Sequence, residues 1–222
     1  MDSVKMSENI TLRKTPGRPA NTGKRRDIAE ELKKVALNLF AEQGYGQVTI
    51  KDIGIAANVN TAMIYYYFSD KESLCRASIE DAAEQVFCAF QKAIDKVEGP
   101  QKKIETWLET HIKLMGTIRK MVRVSIDLKT KGGGTSNESS PIDSFYNLEQ
   151  KTLSEFLTTG IEKGIFREVD VDEIRRIVST FLDGAMIRTL IRPNFDLEST
   201  VATFMEVLLV YLAVHPHEKV KS

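Results

Sequence analysis

Thr61, Ala62, Tyr65 and Tyr66 stand at i, i+1, i+4 and i+5, a spacing that gathers side chains on one side of a helix. Small residues at the start of such a face let the helix approach base edges closely. A threonine can hydrogen-bond a base or touch a thymine methyl. The tyrosine hydroxyls and the ammonium of Lys71 suit phosphate oxygens. Lys71 also falls in the first turn of a following helix, where free backbone N–H groups add to anion binding. The competing reading is plain amphipathic packing of three consecutive tyrosines. Catalytic patterns are missing: there is no Gly-x-Ser-x-Gly, no phosphate-cradling glycine loop and no His-Glu-x-x-His. His111, His215 and His217 are the only histidines, and without convergent cysteines or carboxylates they do not make a metal site. The chemistry on offer is binding, with no enzyme activity, cofactor or metal expected.

The elements that must position these groups are short helices. Thr49 is placed to cap one of them, with Asp52 three residues on, and Ile53, Ala56 and Ala57 supply its small apolar face. Asn58 sits at the turn, because asparagine tolerates the left-handed conformation. Asn60 then caps a second helix running to about Tyr67, with Val59, Ile64 and Phe68 facing inward. Ser69 and Glu72 have capping-box spacing for the next helix. Helix, tight turn, helix is the helix-turn-helix unit, whose second helix enters the major groove of DNA. A third wall comes from upstream. Ile28, Leu32, Val35, Ala36, Leu39 and Phe40 form a continuous helical stripe, and Gly44 follows as its stop.

The stretch from Asp27 to Leu74 resembles the DNA-binding domain of TetR/AcrR-type transcriptional regulators. The resemblance rests on Ala36, Leu39-Phe40, Gly44-Tyr45, Val48-Thr49-Ile50, Ile53, Ala57, Val59, Ile64-Tyr65, Tyr67-Phe68, Lys71-Glu72 and Leu74, and covers about a fifth of the chain. Gly54, Asn58, Asn60 and Ala62 depart from the usual family residues; none removes the motif. The resemblance implies that Thr49, Lys51, Thr61, Ala62, Tyr65, Tyr66, Tyr67 and Lys71 lie at the DNA.

Charge is unevenly placed. Residues 1–26 hold seven basic residues against two acidic ones, a net +5, while the whole chain is neutral. The basic charge therefore sits beside the helix-turn-helix. Within this flexible basic arm, taken as residues 1–23, Gly17-Arg18-Pro19 resembles an AT-hook core, which would place Arg18 in a narrow minor groove. Nonspecific phosphate contact by a basic tail is the alternative. No window approaches the length of a membrane span, and no apolar signal segment opens the chain, so a cytoplasmic protein is expected. Cys75 and Cys88 fit no metal or disulfide pattern.

From Lys71 onward the pattern is helical: about 71–96, ended by Gly99-Pro100, then 101–115, 117–129, 142–163, 171–191 and 197–214. Segment 130–141 reads as a flexible loop. Ile104, Trp107, Leu108, His111, Met115 and Ile118 share one stripe. That stripe is either plain core with one satisfied histidine or the wall of an apolar cavity. Phe87, Phe90, Phe145 and Phe156 on neighbouring helices could complete such a cavity, and the resemblance favours a small-molecule inducer there. Ile174, Ile177, Val178, Phe181, Leu182 and Ala185 form one further apolar face. Val201, Phe204, Met205, Leu208, Leu209 and Leu212 form another; two such helices meeting their copies would make a homodimer.

The expectation is an all-α chain. A helix-turn-helix domain at 24–70 joins a helical ligand-binding and dimerisation domain at 71–222. It would repress by occupying a palindromic double-stranded operator, and a small apolar or amphipathic ligand would release it. The alternative is a DNA-binding adaptor of the same fold that acts through a protein partner without an inducer.

Overall fold

The computed structural model describes residues 22–131 and 141–214, with side chains described from residues 28 and 142 onward in these two stretches. Arg18 with residues 1–21 of the expected arm, residues 132–140 of the expected loop, His215 and His217 lie outside the described residues, while residues 22 and 23 of that arm belong to the first helix. Among the described residues eight helices follow one another: α1 (Thr22–Gln43), α2 (Ile50–Ala56), α3 (Thr61–Tyr67), α4 (Lys71–Ile94), α5 (Pro100–Lys131), α6 (Pro141–Glu162), α7 (Val171–Ile191) and α8 (Leu197–Leu212). Among the described residues the only strand-like pairing is an isolated bridge between Phe166 and Ala213.

The first three helices close on a small core of their own. Leu32, Ala36, Phe40, Val48, Ile53 and Ile64 are fully buried, together with Leu74 from α4. Burying each large member contributes about 2 kcal/mol relative to exposure. Gly44 ends α1 with φ +91°, its N–H donating to the Phe40 carbonyl at 2.9 Å. In α2 the buried positions are Ile53 and Gly54, and Ala56 is exposed, contrary to its expected inward place. A Cβ on Gly54 would come within 3.0 Å of the Val59 carbonyl oxygen, so glycine lets the turn fold tightly onto α2.

Two helix boundaries differ from expectation. The cap of α4 is Asp70 with Ser73, not Ser69 with Glu72: Asp70 Oδ1 accepts from Ser73 N–H at 2.7 Å, and Asp70 N–H donates back to Ser73 Oγ at 3.2 Å. The Ser69 hydroxyl is directed at Asp70 and Ser73, and Glu72 pairs with Arg76 at 2.9 Å. Residues 101–115 and 117–129 form the single helix α5. Gly116 costs about 1 kcal/mol in a helix interior. Buried Met115, Ile118 and Met121 on either side of it outweigh that penalty.

Helix α5 is the central rod, packing on α1, α4, α6 and α8. Polar ties fasten α1 and the turn after it to this frame. Lys33 pairs with Asp81 on α4. Lys120 donates to Asn38 Oδ1 at 2.7 Å, and the Tyr45 N–H donates to Asp127 Oδ2 at 2.8 Å. The C-terminal helices show a split face. Ile174, Val178, Leu182, Ala185, Val201, Leu208 and Leu212 are buried within the chain. Ile177, Ile191, Val207, Val210 and Tyr211 are open to solvent, with the stacked rings of Phe181 and Phe204, centroids 3.8 Å apart, partly covered between them.

Candidate nucleic-acid interface and ligand cavity

Local chemistry sets the helix-turn-helix. Thr49 and Asp52 form a reciprocal capping box: Asp52 N–H donates to Thr49 Oγ1 at 3.2 Å and Thr49 N–H to Asp52 Oδ2 at 2.9 Å. The Thr49 hydroxyl donates to the same carboxylate, holding Asp52 below the usual carboxylate range. Asn58 takes φ +53° at the turn, and Asn60 Oδ1 accepts from Met63 N–H at 2.8 Å to start α3. The exposed side of α3 then carries Thr61, Ala62, Tyr65 and Tyr66, and Lys51 is exposed on α2. Tyr65 and Tyr66 are 57% and 62% exposed, so most of each side chain faces outward from α3.

The other residues expected at DNA have internal work. Tyr67 is half-buried against the core, with Tyr66 meeting its ring edge-on at 5.0 Å. Lys71 donates to the carbonyls of Tyr45 and Val48 at 2.9 and 3.1 Å, with its ammonium 4.3 Å above the Tyr45 ring. It staples the turn after α1 to the first turn of α4. Thr49 serves its cap.

A second feature lies among α4, α5 and α6: a cavity of about 390 Å³, lined by Glu80, Ala83, Glu84, Phe87, Phe90, Trp107, Ser144, Phe145, Leu148, Glu149 and Thr152. Four expected residues, Phe87, Phe90, Trp107 and Phe145, line it. His111 sits behind the wall, its ring 5.6 Å from Trp107 and 5.9 Å from Phe90. Phe90 stacks on Trp107 with centroids 5.9 Å apart. Met115 is buried further along α5 and is not in the wall. Phe156 is not there either; it borders a separate groove beside Gly99, Pro100 and Lys103.

The polar groups of the cavity are not among the residues nominated from sequence. Glu149 faces His111, Oε1 to Nδ1 at 3.3 Å, with both side chains 5% exposed. Burial pushes Glu149 up to about 8 and holds His111 down to about 4. Burial thus favours the neutral form of both groups, a carboxylic acid facing an imidazole, over an ion pair at this distance. Asp183 on α7, also raised by burial, adds to the pressure on Glu149 and accepts from the Tyr146 hydroxyl at 2.9 Å. One signal is available in the sequence: Glu149 and Thr152 interrupt the α6 stripe of Phe145, Leu148, Leu153 and Phe156.

Residues 32–77 match the family model described as bacterial regulatory proteins, tetR family. Over 165 residues the chain is 24% identical to the HTH-type transcriptional repressor KstR2 of Mycolicibacterium smegmatis, spanning 74% of this chain and 77% of that protein. Among solved structures it is similar to the fatty acid degradation regulator FadR from Bacillus halodurans, with a TM-score of 0.68 at 22% identity over 82% of this chain and 94% of that one. It is also similar to FadR from Bacillus subtilis in complex with stearoyl-CoA, with a TM-score of 0.67 at 20% identity over 83% and 98%. At such identities the structural likeness establishes the fold.

Proposed function

This chain is a TetR-type DNA-binding transcriptional regulator, and from that premise we propose that it is a homodimeric repressor whose α3 reads an operator and whose cavity among α4, α5 and α6 receives the inducer. The observation that carries the reading is the course of α4. Its first turn holds the helix-turn-helix through Lys71, and twelve residues on, Ala83 lies in the cavity wall. At 1.5 Å per residue these points are roughly 18 Å apart on one helix. A ligand that moves the wall moves the mount of the reading head. Thermodynamic reciprocity then makes operator DNA weaken ligand binding by the same factor. The cavity falls within the size range of small-molecule sites, and its largely apolar wall suits an apolar or amphipathic inducer.

The open apolar stripe on α7 and α8 supports a two-fold contact with a second copy. It continues at helical spacing through Ile177, Phe181 and Ile191 on α7, and through Phe204, Val207 and Tyr211 on α8. A dimer would set two α3 helices on successive major grooves of a palindromic site.

Tyr65→Ala tests the reading head. It should weaken binding to operator fragments selected from chromosomal DNA by about tenfold, with a smaller salt slope if the hydroxyl meets phosphate. Helicity should be unchanged, because the side chain is exposed. Wild-type affinity in fluorescence anisotropy across several salt concentrations would remove Tyr65 from the interface.

Trp107 is the chain's single tryptophan and lines the cavity, so its emission reports occupancy there. In a panel of apolar and amphipathic compounds, those that displace the operator fragment should also shift Trp107 emission. Compounds that release DNA while leaving the emission untouched would move the inducer site elsewhere.

A further inference from the structure

The charge pattern of the cavity narrows the ligand further; the inference rests on the inducer reading above. We propose that the cavity takes a lipophilic cation, of the alkyl- or arylammonium kind, in preference to a fatty acid or an acyl thioester. Three carboxyl groups line it: Glu80 and Glu84 from exposed positions on α4, and Glu149 from the buried side on α6. No Lys or Arg is among the lining residues. An anionic head group would find the Ser144 hydroxyl and the proton that Glu149 carries, since the Thr152 hydroxyl already donates to the Leu148 carbonyl at 3.0 Å, but no cation among the described lining residues and the carboxylates of Glu80 and Glu84 nearby. A buried charge without a partner is costly.

A cation meets the opposite situation. The wall is aromatic, with Phe87, Phe90, Trp107 and Phe145 in it, and aromatic ring faces attract positive charge. Phe87, Phe145 and Leu148 cover an apolar tail. Glu149 is the buried member of the set, its Oε1 3.3 Å from His111 Nδ1, which makes no hydrogen bond of good geometry among the described residues. The groups around Glu149 are His111 from α5, Tyr146 on its own helix, Asp183 from α7, and Glu80 and Glu84 across the cavity on α4. None of these is a fixed positive charge. An entering cation would supply the missing one, and Glu149 would then release its proton to solvent as it ionises.

The test uses the full chain and three probes of equal tail length: decyltrimethylammonium, decanol and decanoate, each kept below micelle formation. The expected order of affinity by Trp107 emission is ammonium, then alcohol, then carboxylate, with operator release following the same order. Binding heat for the ammonium should vary with the ionisation enthalpy of the buffer, reporting one proton released. Glu149→Gln should weaken the ammonium by about tenfold or more and abolish the buffer dependence. Glu80→Gln with Glu84→Gln should weaken it less, since exposed charges are screened. Thermal melting of each variant separates loss of fold from loss of charge. Decanoate or decanol binding as tightly as the ammonium, with release of operator, would overturn the charge preference and leave the inducer reading standing. Silence from all three probes also overturns the preference, while the inducer reading then stands or falls with the broader compound panel.

Discussion

An Ile177→Asp, Val207→Asp variant should run as a monomer of 25.0 kDa in light scattering at micromolar concentration, where the wild-type chain runs at twice that mass. Ile177 and Val207 are 50% and 61% exposed in the single chain, so aspartate at either position barely disturbs the subunit. Facing a second copy, two unpaired carboxylates per subunit would be desolvated in an apolar contact, which is strongly unfavourable. Operator affinity should fall by about a hundredfold or more, because the second half-site would no longer be held at high effective concentration. Leu208→Asp is the wrong probe despite its place in the expected apolar face. Leu208 is only 6% exposed inside the subunit, and the substitution would unfold α8 instead of separating one subunit from its copy. A wild-type chain that scatters as a monomer would sink the dimer; a double variant that stays dimeric would place the contact on another face.

Between pH 6.5 and 8 the wild-type chain should lose stability that a Glu149→Gln chain keeps. Glu149 is raised from 4.5 to about 8, so the folded state keeps a proton that the unfolded state gives up. Its contribution is complete below pH 4.5 and is lost as pH rises through 8. His111 is lowered from 6.5 to about 4, so its contribution is complete above pH 6.5 and is lost as pH falls through 4. The two slopes oppose each other between 4.5 and 6.5, leaving a plateau. Above 6.5 His111 no longer opposes the Glu149 slope, about 1.4 kcal/mol per pH unit, or about 2 kcal/mol by pH 8. Asp183, also raised by burial, acts in the same sense as Glu149. Urea midpoints at matched protein concentration measure the effect. An equal decline in the glutamine variant would assign the slope to other groups.

Much of the fold is legible along the chain because it is encoded locally. The Thr49 cap, the left-handed Asn58 and the Asn60 cap each depend on residues three or four apart, and the structure has all three. The span 171–191 of α7 follows from its apolar stripe alone. What stays hidden depends on which helices meet. Trp107, Phe90, Phe87 and Phe145 can be nominated from separate faces, but Glu149 gains meaning only when α6 lies against α5. Met115 and Phe156 share the right stripes and fall outside the cavity, because a stripe longer than the cavity must continue into solid packing. The position of Lys71 suggests a phosphate ligand. Only the fold shows the Tyr45 and Val48 carbonyls that occupy it. Gly116 suggests a break when local propensity is weighed without the neighbours that hold α5 together.

From Lys71 to Ile94, α4 contains no glycine and no proline. Sharp kinks in helices arise mainly at such residues, so this helix behaves as a stiff lever rather than a chain of joints. A wall displacement of about 1 Å, acting over roughly 18 Å, tilts the lever by about 3°. That is a small motion for a ligand to cause. In the proposed dimer the two levers are related by a two-fold axis, so their tilts change the separation of the two reading helices in the same sense. That separation has to match groove centres about 34 Å apart. Sensitivity then resides in leverage: an inducer need only be one atom too wide for its wall.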